Sequence, residues 1–229
     1  MLVLILGACT KSKTATPNPA RSTASSTASS TSTAPTASTS SAPAFAFSNC
    51  TGQLQTAIDT DRAKQMTFSC GKLAVPLDYA MPAGKTIDLF VVKMHLNRQK
   101  PADRLGSLLV NPGGPGVSGV PYAASLVGAL DLSVLEHFDL IGFDPRGVGL
   151  STPLECISDK QKDAVTAQDA DVATAAGRAS AKSLATAITK ACVSKYGAGL
   201  KHYNTEETAR DLDRIRQALG DEKLNYLGV

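Results

Sequence analysis

Large apolar side chains are unevenly spread along the 229 residues. They crowd positions 2–6, are absent from 10 to 44, and return in short regular groups from Phe45 onward. Residues 71–76 and 86–96 read as two strands joined by a turn containing Pro82 and Gly84, with Ile87, Leu89 and Val91 alternating onto one face. The alternation then changes phase to Met94 and Leu96. A bulge near Val91 and Val92 would absorb that change, and the pair is expected as an antiparallel hairpin at a sheet edge. From Gly106 the pattern becomes a continuous apolar run, Leu108 to Val110, then a Gly/Pro loop, a helix over 119–130, and a second run, Phe138 to Phe143. That succession predicts a β-α-β unit with buried parallel strands.

The segment 153–200, rich in Ala, Lys, Asp and Thr, reads as helices packed over the edge of the sheet. The best-marked helix follows. It opens at Asn204 or Thr205, carries Glu206 and Glu207 in its first turn, keeps Leu212, Ile215 and Leu219 on one stripe, and closes at Gly220. Lys223 to Val229 then supplies a strand expected at the centre of the sheet. Alternation of strand and helix implies an α/β domain over 45–229, an antiparallel hairpin leading into a mainly parallel sheet with flanking helices. No internal repeat interrupts this order.

Composition adds an address to that picture. The net charge of +3 comes from Lys11, Lys13 and Arg21, because the other 20 basic residues balance 20 acidic ones, and nothing resembles a nucleic-acid footprint. Leu6-Gly7-Ala8-Cys9 resembles a bacterial lipobox, so residues 1–9 are expected to act as a lipoprotein signal with Cys9 the lipidated residue. Residues 10–44, almost wholly Ser, Thr, Ala and Pro, cannot bury enough apolar surface to offset chain entropy, and read as a disordered tether. The expected location is the outer face of a bacterial membrane, reached by export and held through the lipid. Four further cysteines, Cys50, Cys70, Cys156 and Cys192, are then candidates for disulfides. Three pairings are open; pairing of neighbours would close two modest loops, each worth about 3 kcal/mol in the chain-entropy treatment.

Candidate chemistry begins after the 108–110 strand, in Asn111-Pro112-Gly113-Gly114-Pro115-Gly116-Val117-Ser118-Gly119. Three glycines in four positions imply a sharply turning, uncovered backbone whose N–H groups can bind negative charge, either a developing oxyanion or a phosphate. Gly114 to Gly119 also satisfies G-x-G-x-x-G, with Asp144 closing the next strand as in a dinucleotide site. Cofactor binding does not account for Asp144-Pro145-Arg146-Gly147-Val148-Gly149-Leu150-Ser151, however, and no cofactor is expected.

Asn-Pro-Gly-Gly-Pro-Gly, Phe-Asp-Pro-Arg-Gly-Val-Gly-Leu-Ser, Asn204-Thr205 with Ala209 to Arg216, and Asn225-Tyr-Leu-Gly-Val229 together resemble the landmarks of α/β-hydrolase peptidases related to prolyl iminopeptidase, above all the secreted tripeptidyl aminopeptidases. Val75-Pro-Leu-Asp-Tyr79 is similar to that subfamily as well. The resemblance covers about residues 50–229. It implies that Gly114 offers a backbone N–H to the oxyanion within the loop Gly113, Gly114, Pro115 and Gly116, and that Asp144 and Arg146 form a structural turn beside the site. It also implies that Gly228-Val229 opens a G-x-S-x-G elbow, so that the nucleophile is expected just after Val229, with the acid and histidine later. The 229 residues would then hold no complete triad and would be inactive alone.

The implied activity is that of a serine exopeptidase releasing short peptides from free N-termini, with an esterase or other acyl hydrolase, or a non-catalytic tethered binding domain, as alternatives. Ser118 misses the elbow spacing and is expected to cap the helix that follows. His95, His137 and His202 share no metal-ligand spacing, and no metal is expected.

Overall fold

The computed structural model describes residues 45–55, 58, 61–167 and 171–229; Cys9, the lipobox and the tether lie outside the described residues. Strands β1 (Ser48–Asn49), β2 (Met66–Pro76), β3 (Thr86–Leu96), β4 (Gly106–Asn111), β5 (Phe138–Phe143) and β6 (Asn225–Gly228) form one sheet in the order β1-β2-β3-β5-β4-β6. The pairs β1–β2, β2–β3 and β3–β5 are antiparallel, whereas β4 lies parallel to both β5 and β6. Only the two-residue β1 lies outside the hairpin, and β3 is interior. Among the described residues, strand β6 pairs in parallel with β4 and stands last in the order.

The hairpin contains no bulge. Pairing runs unbroken from Met66 opposite Leu96 to Pro76 opposite Thr86, and β2 starts five residues earlier than its pattern implied because Met66 and Phe68 also point into the core. Val91 and Val92 are both buried, on opposite faces of the sheet: Val91 packs with Leu109, Ile141, Phe143 and Ile215, and Val92 with Val110, Ala123, Val127 and Leu140. The change of phase in β3 therefore marks a change in which face is covered, not an inserted residue.

Helices cover both faces. Helix α2 (Gly119–Ala129) supplies Ala123 and Val127 to one core, and α6 (Thr205–Ala218) supplies Ile215 to the other, with Leu212 and Leu219 packed beside it. Two glycines set the approach of α2 to β5. A Cβ on Gly119 would fall 2.1 Å from the Phe143 carbonyl oxygen, and one on Gly142 would fall 2.7 Å from the Ala123 Cβ. A short helix absent from the sequence reading, α3 (Leu132–His137), precedes β5; Asp131 caps it by accepting from the Ser133 N–H, and Leu135 anchors it in the core. Near the start of the described domain, α1 (Thr51–Gln55) sits next to the Cys50–Cys70 disulfide, which joins it to β2.

The segment expected to pack over the sheet behaves differently. It forms α4 (Asp159–Thr166) and α5 (Ala175–Tyr196), and none of the 22 residues of α5 is buried. Its alanine-rich sequence offers little to bury. The helix is fastened instead at its C-terminal end, by the Cys156–Cys192 disulfide, by the Glu155 N–H donating to the Tyr196 hydroxyl at 2.7 Å, and by Lys195 donating to the Glu155 carbonyl at 2.6 Å.

Candidate active site

The C-terminal ends of β4 and β5 face a cleft of about 790 Å³, lined by Gly113 to Gly116 from one loop, Pro145 to Val148 from the other, and Tyr203 to Thr205 from the entrance to α6. Ligands of open α/β sheets bind at this end of the strands, where loops diverge and backbone groups are left free. The 111–118 loop owes its shape to glycine. Gly113, Gly114 and Gly116 have φ values of +76°, +114° and +91°, a region that side-chain-bearing residues enter only with strain. Asn111 steadies its base by accepting from the Gly113 N–H at 3.4 Å, and the Gly114 N–H meets no acceptor among the described residues. The loop also touches the end of β6. A Cβ on Gly113 would lie 2.6 Å from the Val229 carbonyl oxygen, and the Val229 N–H donates to the Asn111 carbonyl at 3.3 Å.

The 144–151 turn is built around three buried polar side chains, Asp144, Arg146 and Ser151. Asp144 accepts from the Ser118 hydroxyl in a short hydrogen bond and from the Leu150 N–H at 2.8 Å, so it binds the two loops together and has no reach toward a ribose. Ser118 stands at the N-cap of α2, but its hydroxyl is given to Asp144 rather than to the helix, which corrects the capping expectation. Ser151 donates to the Asp144 carbonyl and accepts from the Phe90 N–H, both at 2.6 Å, locking the turn to β3.

Arg146 points the other way, into the protein. Its side chain is 1% exposed and forks onto the Asp211 carboxylate, with Nε to Oδ2 at 2.8 Å and Nη2 to Oδ1 at 2.7 Å. The remaining donors reach the carbonyls of Pro76, Leu77 and His202, and Tyr79 adds a hydroxyl to Asp211 at 2.8 Å. Burial works against the charge on Arg146, but the hydrogen bonds and charge of Asp211 outweigh it and hold the guanidinium above its ordinary value. Burial likewise pushes the Asp211 carboxyl upward, against the pull of Arg146 and Tyr79. Tyr79 is driven upward by burial and by the neighbouring Asp211 charge, so its hydroxyl remains a donor. Arg146 thus ties the segment after β2 and the entrance to α6 beneath the cleft.

Sequence reading placed Asp144 and Arg146 in one turn but did not show that they face opposite ways. It also missed Tyr79 and Asp211 as partners, although both stand in motifs that the resemblance uses; only long-range pairing identifies what they bind. The histidines are scattered. His95 lies on β3, His137 ends α3 with Nδ1 2.7 Å from the Ser133 carbonyl, and His202 sits under the cleft near Asp78 and Glu207.

A doubly covered mixed sheet with a glycine-rich loop and a cleft at the strand ends defines an α/β protein whose open groove lies on its loop face. The model of the alpha/beta hydrolase fold matches residues 106–229, and the chain belongs to that family. It is 41% identical over 164 residues to a tripeptidyl aminopeptidase of Streptomyces lividans, covering 71% of this chain and 30% of that protein. It is 43% identical over 161 residues to the serine protease Hip1 of Mycobacterium tuberculosis, and 39% identical over 161 residues to a carboxylesterase B of the same organism; each alignment covers 69% of this chain and 30% of the relative. The chain therefore spans about a third of the length of these curated relatives.

Proposed function

We propose that the full-length protein is an exported serine hydrolase, an exopeptidase that releases short peptides from free N-termini through an acyl-enzyme. The observation carrying this reading is the contact between the Gly113-Gly114 loop and the end of β6. A serine bonded to Val229 would complete the first three positions of G-x-S-x-G on a tight turn after β6, with its hydroxyl next to the Gly114 N–H. Gly114 would then donate to the oxyanion as the carbonyl carbon becomes tetrahedral, a type of contact whose loss costs about 3 kcal/mol of transition-state stabilisation in other hydrolases. The 144–151 turn, held by Asp144, Ser151 and Arg146, would keep the opposite wall of the cleft fixed.

Peptidase chemistry is supported by the names of the aminopeptidase and protease relatives, and an esterase is the second reading because of the carboxylesterase relative. Export and lipidation at Cys9 belong to the same proposal and rest on the lipobox and the tether composition. Two experiments on the full-length protein test the reading. A fluorophosphonate probe is expected to label the serine following Gly228-Val229, and modification at Ser118 or Ser151 instead would refute the assigned nucleophile. Tripeptide amides are expected to turn over faster than short-chain esters; the reverse order would favour the esterase.

A further inference from the structure

Below the cleft, the turn after β2 and the chain entering α6 bring together a second set of reactive side chains. Asp78, His202 and Glu207 each offer one ligand atom, all within 4.8 Å of one another. His202 Nε2 lies 3.6 Å from Asp78 Oδ2, and Nδ1 lies 3.6 Å from Glu207 Oε1. Those separations are too long for hydrogen bonds, and neither ring nitrogen has a hydrogen-bond partner among the described residues. Asp78 Oδ1 is engaged by the Ala80 N–H at 2.8 Å, which leaves Oδ2 toward the imidazole. Glu207 is 8% exposed; its Oε2 is buried without a hydrogen bond, and the Arg210 guanidinium stands 3.7 Å away. Asp78 and His202 open onto a cavity of about 260 Å³ that Glu207 does not line.

We propose that this is a divalent-cation site, in which a zinc-type ion is held on the cavity side by His202 Nε2 and the Asp78 carboxylate. Water from the cavity completes the coordination. Zinc bonds of about 2.1 Å at a tetrahedral angle separate ligand atoms by about 3.4 Å, close to the spacing of this pair. Glu207 Oε1, 3.6 Å from Nδ1 on the far edge of the ring, would close to hydrogen-bonding distance as the ion seats, accept the Nδ1 proton and fix the tautomer that leaves Nε2 free, the arrangement in which a carboxylate orients a metal-bound imidazole. Lys85 and Lys201 line the same cavity and oppose any cation held by field alone. The occupant is therefore an ion that bonds well to imidazole, and not calcium. The ion would join the turn after β2 to the chain entering α6, where Arg146 already binds the Leu77 and His202 carbonyls. This departs from the expectation drawn from histidine spacing, which could not register a carboxylate as distant in the chain as Asp78.

The test is titration of the chelator-stripped full-length protein with zinc against a chromophoric chelator, with calcium in parallel. One equivalent of zinc is expected to bind with Kd below about 10 μM. His202→Gln and Asp78→Asn should each abolish that equivalent, Glu207→Gln should weaken it by about ten- to a hundred-fold, and His95→Gln should leave it unchanged. Circular dichroism verifies that each variant is folded. If Asp78→Asn fails to fold, His202→Gln carries the test, since it retains the backbone carbonyl that Arg146 uses. Absence of saturable zinc binding at about 100 μM, binding unaltered in His202→Gln, or preference for calcium would overturn the proposal.

Discussion

Replacing Arg146 by alanine is the perturbation whose consequence the structure defines best. The substitution leaves the Asp211 carboxylate, which is 0% exposed, without its cationic partner, and deprives the Pro76, Leu77 and His202 carbonyls of a donor. Breaking a buried pair in this way costs about 3–5 kcal/mol, because the charge left behind keeps only the Tyr79 hydroxyl and has neither a cation nor water to offset it. Removing both charges should cost less than the isolated contacts suggest. In Arg146→Met with Asp211→Leu the three carbonyls still lose their donor, but no buried charge remains, so a double-mutant cycle should give a coupling energy of at least about 2 kcal/mol. The deficit of Arg146→Ala should also shrink on acidification, since a buried, unpaired carboxylate takes up a proton on folding and is relieved of its charge as pH falls. Urea unfolding of the full-length protein followed by far-UV circular dichroism, at pH 5 and pH 8, measures all of these quantities. Additive single and double mutants, or an Arg146→Ala cost under about 1 kcal/mol, would refute the assignment of Arg146 as the tie beneath the cleft.

Gly119→Ala should prevent accumulation of folded protein, because the new methyl group meets the backbone of β5, whereas Gly116→Ala, with open space around it and a φ of +91°, should cost only about 1–2 kcal/mol; thermal melts of the soluble fractions separate the two cases. Burial holds the His95 imidazole below its ordinary value, and Nδ1 is buried without a partner. The unfolded chain therefore binds the proton more readily, so this contribution to stability is complete above about pH 6.5 and is lost as pH falls below it. His95→Gln should flatten that part of the stability profile, and an unchanged slope in urea titrations across the range would count against the assignment.

Much of the frame was legible because it is periodic. The runs at 108–110 and 138–143 and the stripe of α6 each bury one repeating face, and local chemistry such as Asn204 accepting from the Glu207 N–H marks where the helix begins. The β3 register was misread for a definite reason: a strand covered first on one face and then on the other produces the same break in alternation as a bulge. Helix α5 was misplaced because its length signals a helix while its alanines carry no information about a partner. In the cleft, the glycine loop and the 144–151 turn stood out as motifs. The ties that hold them, Ser118 to Asp144 and Arg146 to Asp211, depend on chain segments 26 and 65 residues apart, which no local pattern encodes.

The unburied helix α5 has a consequence for how this protein can change. Most of the domain is constrained on both faces of its sheet, so that substitutions there must satisfy two cores at once. The 22 residues of α5 contribute no buried side chain and are fastened near Cys192, Lys195 and Tyr196. Its N-terminal turns are accordingly the place where length and composition can vary with least effect on the rest of the domain, and where a reporter peptide or affinity handle could be grafted without touching the cleft.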